Sequence, residues 1–233
     1  MTQLDARLAP RGLFVTGTDT GVGKTLVACE IVRRLRARGE GVGVLKPVET
    51  GVGPEGPQDA KALREAAGVA DAIDEICPQR FALPAAPSVA AAAEGRRVDL
   101  NRIDQALERV KLRHSCVIVE GAGGLLVPIT PDFNMADLAH RLGLPVLVVC
   151  RAALGTLNHT WLTLEAARSR GLRVAGIVIS HSAGSLSAAD AANLDALRAE
   201  PGAPLLGEIP PLPAETSIPK AALDLDGILA ALD

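Results

Sequence analysis

Phe14-Val15-Thr16-Gly17-Thr18-Asp19-Thr20-Gly21-Val22-Gly23-Lys24-Thr25 is the stretch on which the reading of this chain turns. Residues 13–15 are a short apolar run, the mark of a buried strand. A glycine-rich turn follows, then a helical pattern carried by Leu26, Val27, Ile31, Val32 and Leu35. Strand, glycine loop, Lys-Thr and helix in that order describe a phosphate cradle. Glycine lets the backbone approach an anion closely, and the loop N–H groups converge on it. The helix N-terminus adds its dipole, Lys24 a positive charge, and Thr25 a hydroxyl suited to magnesium. The spacing departs from the common phosphate loop. Thr18 stands where glycine is usual, and five residues rather than four separate Gly17 from Gly23. A glycine turn without a ligand is the bland alternative, and Gly-Lys-Thr at the head of a helix argues against it.

Around this loop lie 233 residues, 48% of them hydrophobic, enough to fill a core. Aromatics are 2% and tyrosine is absent, so that core must be built from Ala, Val, Leu and Ile. The net charge of −3 and the lack of a long basic run exclude nucleic acid and an anionic membrane surface as expected partners. The densest basic group, Arg33, Arg34, Arg36 and Arg38, reads as the solvated side of the first helix. Cys29, Cys77, Cys116 and Cys150 have no metal-binding spacing and read as small buried hydrophobes, which fits a reducing cytoplasm. Residues 1–11 are expected to be a loose leader without the apolar core of a signal peptide, and no run approaches a membrane span.

Strands and helices then alternate. A strand over 42–48 carries Lys46 near its carboxyl end, where ligands collect in open parallel sheets. A buried lysine needs a partner, and the placement favours a phosphate. After a Gly- and Pro-rich loop, Asp59 leads a helix over 60–67; it suits an N-cap as well as it suits a functional carboxylate. Residues 77–98 read as an irregular connection with one short helix at 89–94. A helix over 100–113 precedes a strand over 116–120, which ends in Glu120 followed by Gly121-Ala122-Gly123-Gly124. An acid at that tip is placed to face a magnesium ion. A helix over 135–142, a strand over 144–151 and a helix opening at Gly155-Thr156-Leu157-Asn158 follow. His159 alone reads as structural. A strand over 173–180, a helix over 188–197, a strand over 205–209 and a helix over 221–232 finish the chain. The fold class is α/β: one doubly wound domain over 1–233, with a mostly parallel sheet of the P-loop NTPase kind.

Four motifs in order resemble the dethiobiotin synthetase family: Gly17 to Thr25, Lys46-Pro47-Val48-Glu49-Thr50-Gly51, Val119 to Gly124, and Gly155 to His159. The resemblance covers 12 to about 213, and the five-residue loop spacing is that family's own. It implies carboxylation of 7,8-diaminononanoate by CO2, with ATP as co-substrate and Mg2+ as cofactor, and a homodimer. Thr25, Asp59 and Glu120 match the family's magnesium ligands. Lys46, Lys24 and Thr20 match its catalytic residues. Gly21, Val22, Gly23, Lys24, Thr25 and Leu26, together with Asp59 and Glu120 to Gly123, match its nucleotide site. Thr50 matches a hydroxyl on the diamine, and Gly155, Thr156, Leu157 and Asn158 match the segment that receives the substrate carboxylate from the partner subunit. Ser180 and His181, with Pro210, Pro211 and Leu212, match the base-facing positions. Members that read adenine carry asparagine where Ser180 stands, so other nucleoside triphosphates are expected to serve. A P-loop switch of the partitioning type is the rival, but it carries a second lysine where this loop has Asp19. An amide-forming synthetase would need a domain for ammonia supply, for which 233 residues leave no room.

Overall fold

The computed structural model describes residues 11–182, 186–211 and 218–232. In chain order these form β1 (Gly12–Gly17), α1 (Lys24–Ala37), β2 (Val42–Leu45), β3 (Val48–Thr50), α2 (Gln58–Ala67), α3 (Ile73–Ile76) and β4 (Gln79–Phe81). Next come α4 (Pro87–Ala93), α5 (Leu100–Arg113), β5 (Cys116–Gly124), β6 (Pro128–Thr130), β7 (Phe133–Asn134), α6 (Met135–Leu142) and β8 (Val146–Arg151). The chain closes with α7 (Thr156–Ser169), β9 (Val174–Ser180), α8 (Ala188–Ala199), β10 (Leu205–Ile209) and α9 (Leu225–Ala231).

Six strands make one sheet in the order β10-β9-β8-β1-β5-β2, and every pairing in it is parallel. Strand side chains alternate between faces, and apolar residues on both faces require two layers of helix. Leu13 and Val15 of β1, Cys116 and Ile118 of β5, and Leu147 and Val149 of β8 pack with α1, α2 and α9. Their neighbours Phe14, Val117, Val119, Val146 and Val148 pack on the other side with α5, α6, α7 and α8. This is the doubly wound arrangement expected. From β1 the chain first works outward to β2, then returns across to β8, β9 and β10, so the direction reverses beside β1. A crevice opens at the carboxyl ends of strands at such a point. Among the described residues no helix is long and apolar enough to cross a membrane.

Several local expectations are corrected. The strand over 42–48 is two strands: β2 stops at Leu45, and the Lys46 N–H turns to the Ile76 carbonyl at 2.7 Å. Pro47 has no N–H with which to continue a ladder. Beyond it β3 pairs with β4 in a separate two-stranded parallel sheet, so the connection over 77–98 is less irregular than its composition suggests. The helix over 221–232 is a short 3-10 turn at Lys220–Ala222 followed by α9, which Asp224 caps. Arg34 is not simply solvated. It pairs with Glu30 at 2.7 Å and donates to the Pro219 carbonyl at 2.7 Å, tying α1 to the end of the chain. Of the loose leader expected over 1–11, residues 1–10 lie outside the described residues, and residue 11 is not loose: Arg11 pairs with Glu40 at 2.7 Å.

Candidate active site

The turn after β1 works because Gly23 precedes α1 with φ 93°, a conformation that side-chain-bearing residues rarely adopt. A Cβ there would also lie 2.5 Å from the Ser180 Oγ. Lys24 begins α1 and Thr25 follows, so both sit at the positive end of the helix. The Lys24 ammonium donates to the Asp19 carbonyl at 3.0 Å, within its own loop.

Lys46 reaches this loop from the end of β2. Its side chain is 3% exposed, and its three donors meet Glu120 Oε1 at 2.6 Å, Asp59 Oδ2 at 2.8 Å and the Gly121 carbonyl at 3.2 Å. The Thr25 hydroxyl lies 3.0 Å from Asp59 Oδ1 and 2.9 Å from Glu120 Oε1. It has one proton to donate, so the two carboxylates share it. Asp59 is not an N-cap. Pro57 holds that position in α2, and the Asp59 side chain faces Thr25 and Lys46 instead.

Burial lowers the pKa of Lys24, the nearby charge of Lys46 lowers it further, and it falls to about 8. For Lys46 burial also opposes the charge, but the carboxylates of Glu120 and Asp59 outweigh it and hold its pKa above the ordinary lysine value. Burial pushes Asp59 upward, and Lys46 reverses that to leave its carboxyl below the usual range. Glu49 is pushed upward, chiefly by burial.

These groups line a cavity of about 350 Å³ with Thr20, Gly21, Gly23, Thr50, Ala122 and Gly123. All of those were expected at the site; Val48 and Glu49, which also line it, were not. The donor set fits magnesium. Thr25, Asp59 and Glu120 offer hard oxygens, and the buried Oε2 of Glu120 has no hydrogen-bond partner.

Other expected positions lie apart. Val22 is buried in the core, and Leu26 on α1 is 40% exposed. Ser180 is fully buried beneath Gly23, its Oγ without a partner. His181 Nε2 lies 2.6 Å from Glu208 Oε1, and Arg198 holds the same carboxylate. Pro210 and Pro211 follow β10, and Leu212 lies outside the described residues. Gly155 is the N-cap of α7 with no side-chain cap; beyond it Thr156 is buried, Leu157 half-buried and Asn158 exposed, and none of the four lines the cavity.

The sequence reading also missed Arg151. Its guanidinium, at the end of β8, donates to the Thr20 carbonyl at 2.9 Å and to Asp19 Oδ2 at 3.3 Å. The signal was the one that marked Lys46: a cation closing a buried apolar strand.

An AAA domain family matches residues 11–218. A protein of Anaeromyxobacter dehalogenans (strain 2CP-C) named ATP-dependent dethiobiotin synthetase BioD is 50% identical over 227 residues, covering 95% of this chain and 98% of its own. One of the same name from Bacillus licheniformis is 42% identical, covering 87% of this chain and 86% of its own. Among solved structures, chloroplast FtsY from Physcomitrella patens superposes with a TM-score of 0.51 at 16% identity, over 96% of this chain. The signal recognition particle receptor FtsY of Elizabethkingia anophelis in complex with GDP gives 0.52 at 16% identity, over 94%. This chain spans less than two thirds of each of those two, 65% and 63%, and that likeness shows the fold alone. With half its residues identical along nearly the whole length of such a relative, the chain belongs to the family of ATP-dependent dethiobiotin synthetases.

Proposed function

We propose that this chain converts 7,8-diaminononanoate, carbon dioxide and ATP into dethiobiotin, ADP and phosphate. One amine adds to carbon dioxide and releases a proton, giving a carbamate. A carbamate oxygen attacks the γ-phosphorus, the bond to the bridging oxygen breaks, and ADP departs. The second amine attacks the carbamoyl carbon, loses its proton and expels phosphate. Such phosphoryl transfer needs alignment and charge neutralisation from the protein more than covalent help.

The observation that carries this reading is Lys46. A buried ammonium, held by two carboxylates at the edge of the phosphate loop, is preorganised for negative charge that develops between carbamate and γ-phosphate. Lys24 and the N–H groups of Gly21 to Thr25 receive the triphosphate, with Thr20 at its mouth and Leu26 on the first turn of α1. Glu120, Gly121, Ala122 and Gly123 border the phosphates, and the Thr50 hydroxyl contacts the diamine. Ser180, His181, Pro210 and Pro211 are assigned to the side of the base. Thr25, Asp59 and Glu120 would hold magnesium, which when bound neutralises phosphate charge.

The substrate carboxylate is read as docking at a second copy of the chain. Gly155, Thr156, Leu157 and Asn158 open α7 at a helix N-terminus without a side-chain cap, which favours an anion, although the Thr156 N–H already donates to the Ala153 carbonyl at 3.1 Å; Asn158 is exposed. That makes the enzyme a homodimer, each protomer one domain over 1–233, working in the cytoplasm. Incubation with the diamine, bicarbonate, magnesium and ATP is expected to yield dethiobiotin and one phosphate per ring. ATP hydrolysis that ignores the diamine, with no dethiobiotin formed, would overturn the reading.

A further inference from the structure

Helix α2 starts without a cap of its own. Its N-cap residue is Pro57, which makes no side-chain hydrogen bond, yet the N–H groups of the first turn need acceptors. They find them ten and eleven residues back in the chain. Glu49 of β3 accepts the Asp59 N–H through Oε1 at 3.1 Å and the Ala60 N–H through Oε2 at 3.0 Å. Those are the second and third helical positions, the two that an N-cap side chain ordinarily serves. Glu49 is 6% exposed, and it sits on a strand that β4 holds in place through the Glu49–Arg80 register.

We propose that Glu49 is the positioning residue of the site: a surrogate cap that fixes the head of α2 and thereby holds the Asp59 carboxylate against Thr25 and Lys46. Asp59 is anchored at both ends. Its N–H is held by Glu49, while its two carboxylate oxygens meet Thr25 at 3.0 Å and Lys46 at 2.8 Å. Without Glu49 the first turn of α2 frays and the carboxylate loses its fixed origin. The same strand carries Thr50 at the next position, so one short element sets both the hydroxyl on the diamine and the acid on the magnesium side. In its consequence for turnover this rests on the dethiobiotin synthetase reading; the cap itself does not.

Amide hydrogen exchange of the ligand-free enzyme tests the cap directly. Glu49→Ala is expected to speed exchange at Asp59 and Ala60 by roughly fivefold, the scale of a lost helix cap. It should lower kcat about tenfold or more, as misplacement of an aligning group does. Glu49→Gln keeps one acceptor and should fall between in both readouts. The decisive variant is Glu49→Ala with Pro57→Ser, which returns a cap from the ordinary position and is expected to restore both exchange and kcat. Unchanged exchange in Glu49→Ala overturns the proposal. So does exchange restored by Pro57→Ser with kcat still low, since Glu49 would then act on the substrate itself. A wild type that forms no dethiobiotin defeats the activity reading, and exchange still decides the cap.

Discussion

Lys46 Nζ lies 2.6 Å from Glu120 Oε1, and both side chains are almost wholly buried. A pair of this kind is doubly sensitive. Breaking it leaves one uncompensated charge in the interior, at a cost of roughly 3–5 kcal/mol. Lys46→Gln is therefore expected to lower both the melting temperature and kcat, the latter by on the order of 10²-fold. The sequence alone suggested a purely catalytic lysine; the burial of Glu120 beside it adds the loss of stability. Turnover measured well below the variant's own melting temperature separates the two effects, and an unchanged kcat there would mark Lys46 as structural only.

Asp59 should behave differently, because its side chain is 39% exposed and water can replace its partners. Asp59→Ala is expected to keep the fold and raise the magnesium concentration needed for half-maximal turnover. Glu120→Ala removes a fully buried acid from Lys46 and should destabilise as well. Normal activity of Asp59→Ala at limiting magnesium would remove it from the site.

Asn158 is exposed at the head of α7 and lines no part of the phosphate cavity. Asn158→Ala is expected to raise KM for the diamine and leave KM for the nucleotide unchanged. Full activity in a variant shown by light scattering to be monomeric would sink the role of the partner subunit.

The proposed place of Ser180 on the side of the base sets an expectation for nucleotide choice. Its hydroxyl is buried beneath Gly23 without a partner, and a short hydroxyl cannot present the paired donor and acceptor of an amide. ATP, CTP and GTP are expected to support turnover within about tenfold of one another, a gap of roughly 1.4 kcal/mol. Ser180→Asn should shift the preference toward ATP. A thousandfold preference for ATP in the wild type would assign base recognition to another group.

The four thiols are buried, and burial pushes Cys29, Cys77 and Cys150 up to about 12 and Cys116 to about 11. Below pH 9 both folded and unfolded thiols keep their protons and contribute nothing to pH dependence. Above pH 9 the unfolded chain loses them first, so the folded state binds more protons and stability falls toward pH 11. Lys24 acts in the opposite sense between pH 8 and 10.5, because its proton is lost first in the folded state. Chemical denaturation across that range should show a net decline, with no iodoacetamide labelling of the native protein at pH 8. Rapid labelling there would contradict the burial.

Much of the candidate site's local arrangement is legible in the sequence. The glycine loop needs Gly23 where φ is positive, the helix needs Lys24 and Thr25 at its head, and an apolar strand run puts Lys46 just past the end of β2; the strand expected to end at Glu120 instead runs on to Gly124, so that acid lies within β5. These are local rules of backbone sterics and side-chain period, so a sequence carries them openly. What tertiary structure alone decided involves residues far apart in the chain, or elements too short to have a period. Strands β3, β4, β6 and β7 have two or three residues each, below the length at which alternation can be read. The Glu49 cap on α2, the Arg151 contact with Asp19 across 132 residues, and the capture of Lys46 by Glu120 across 74 leave no local trace. A polar side chain near a strand end has many possible partners, and only the packing of the two helical layers on the sheet selects one.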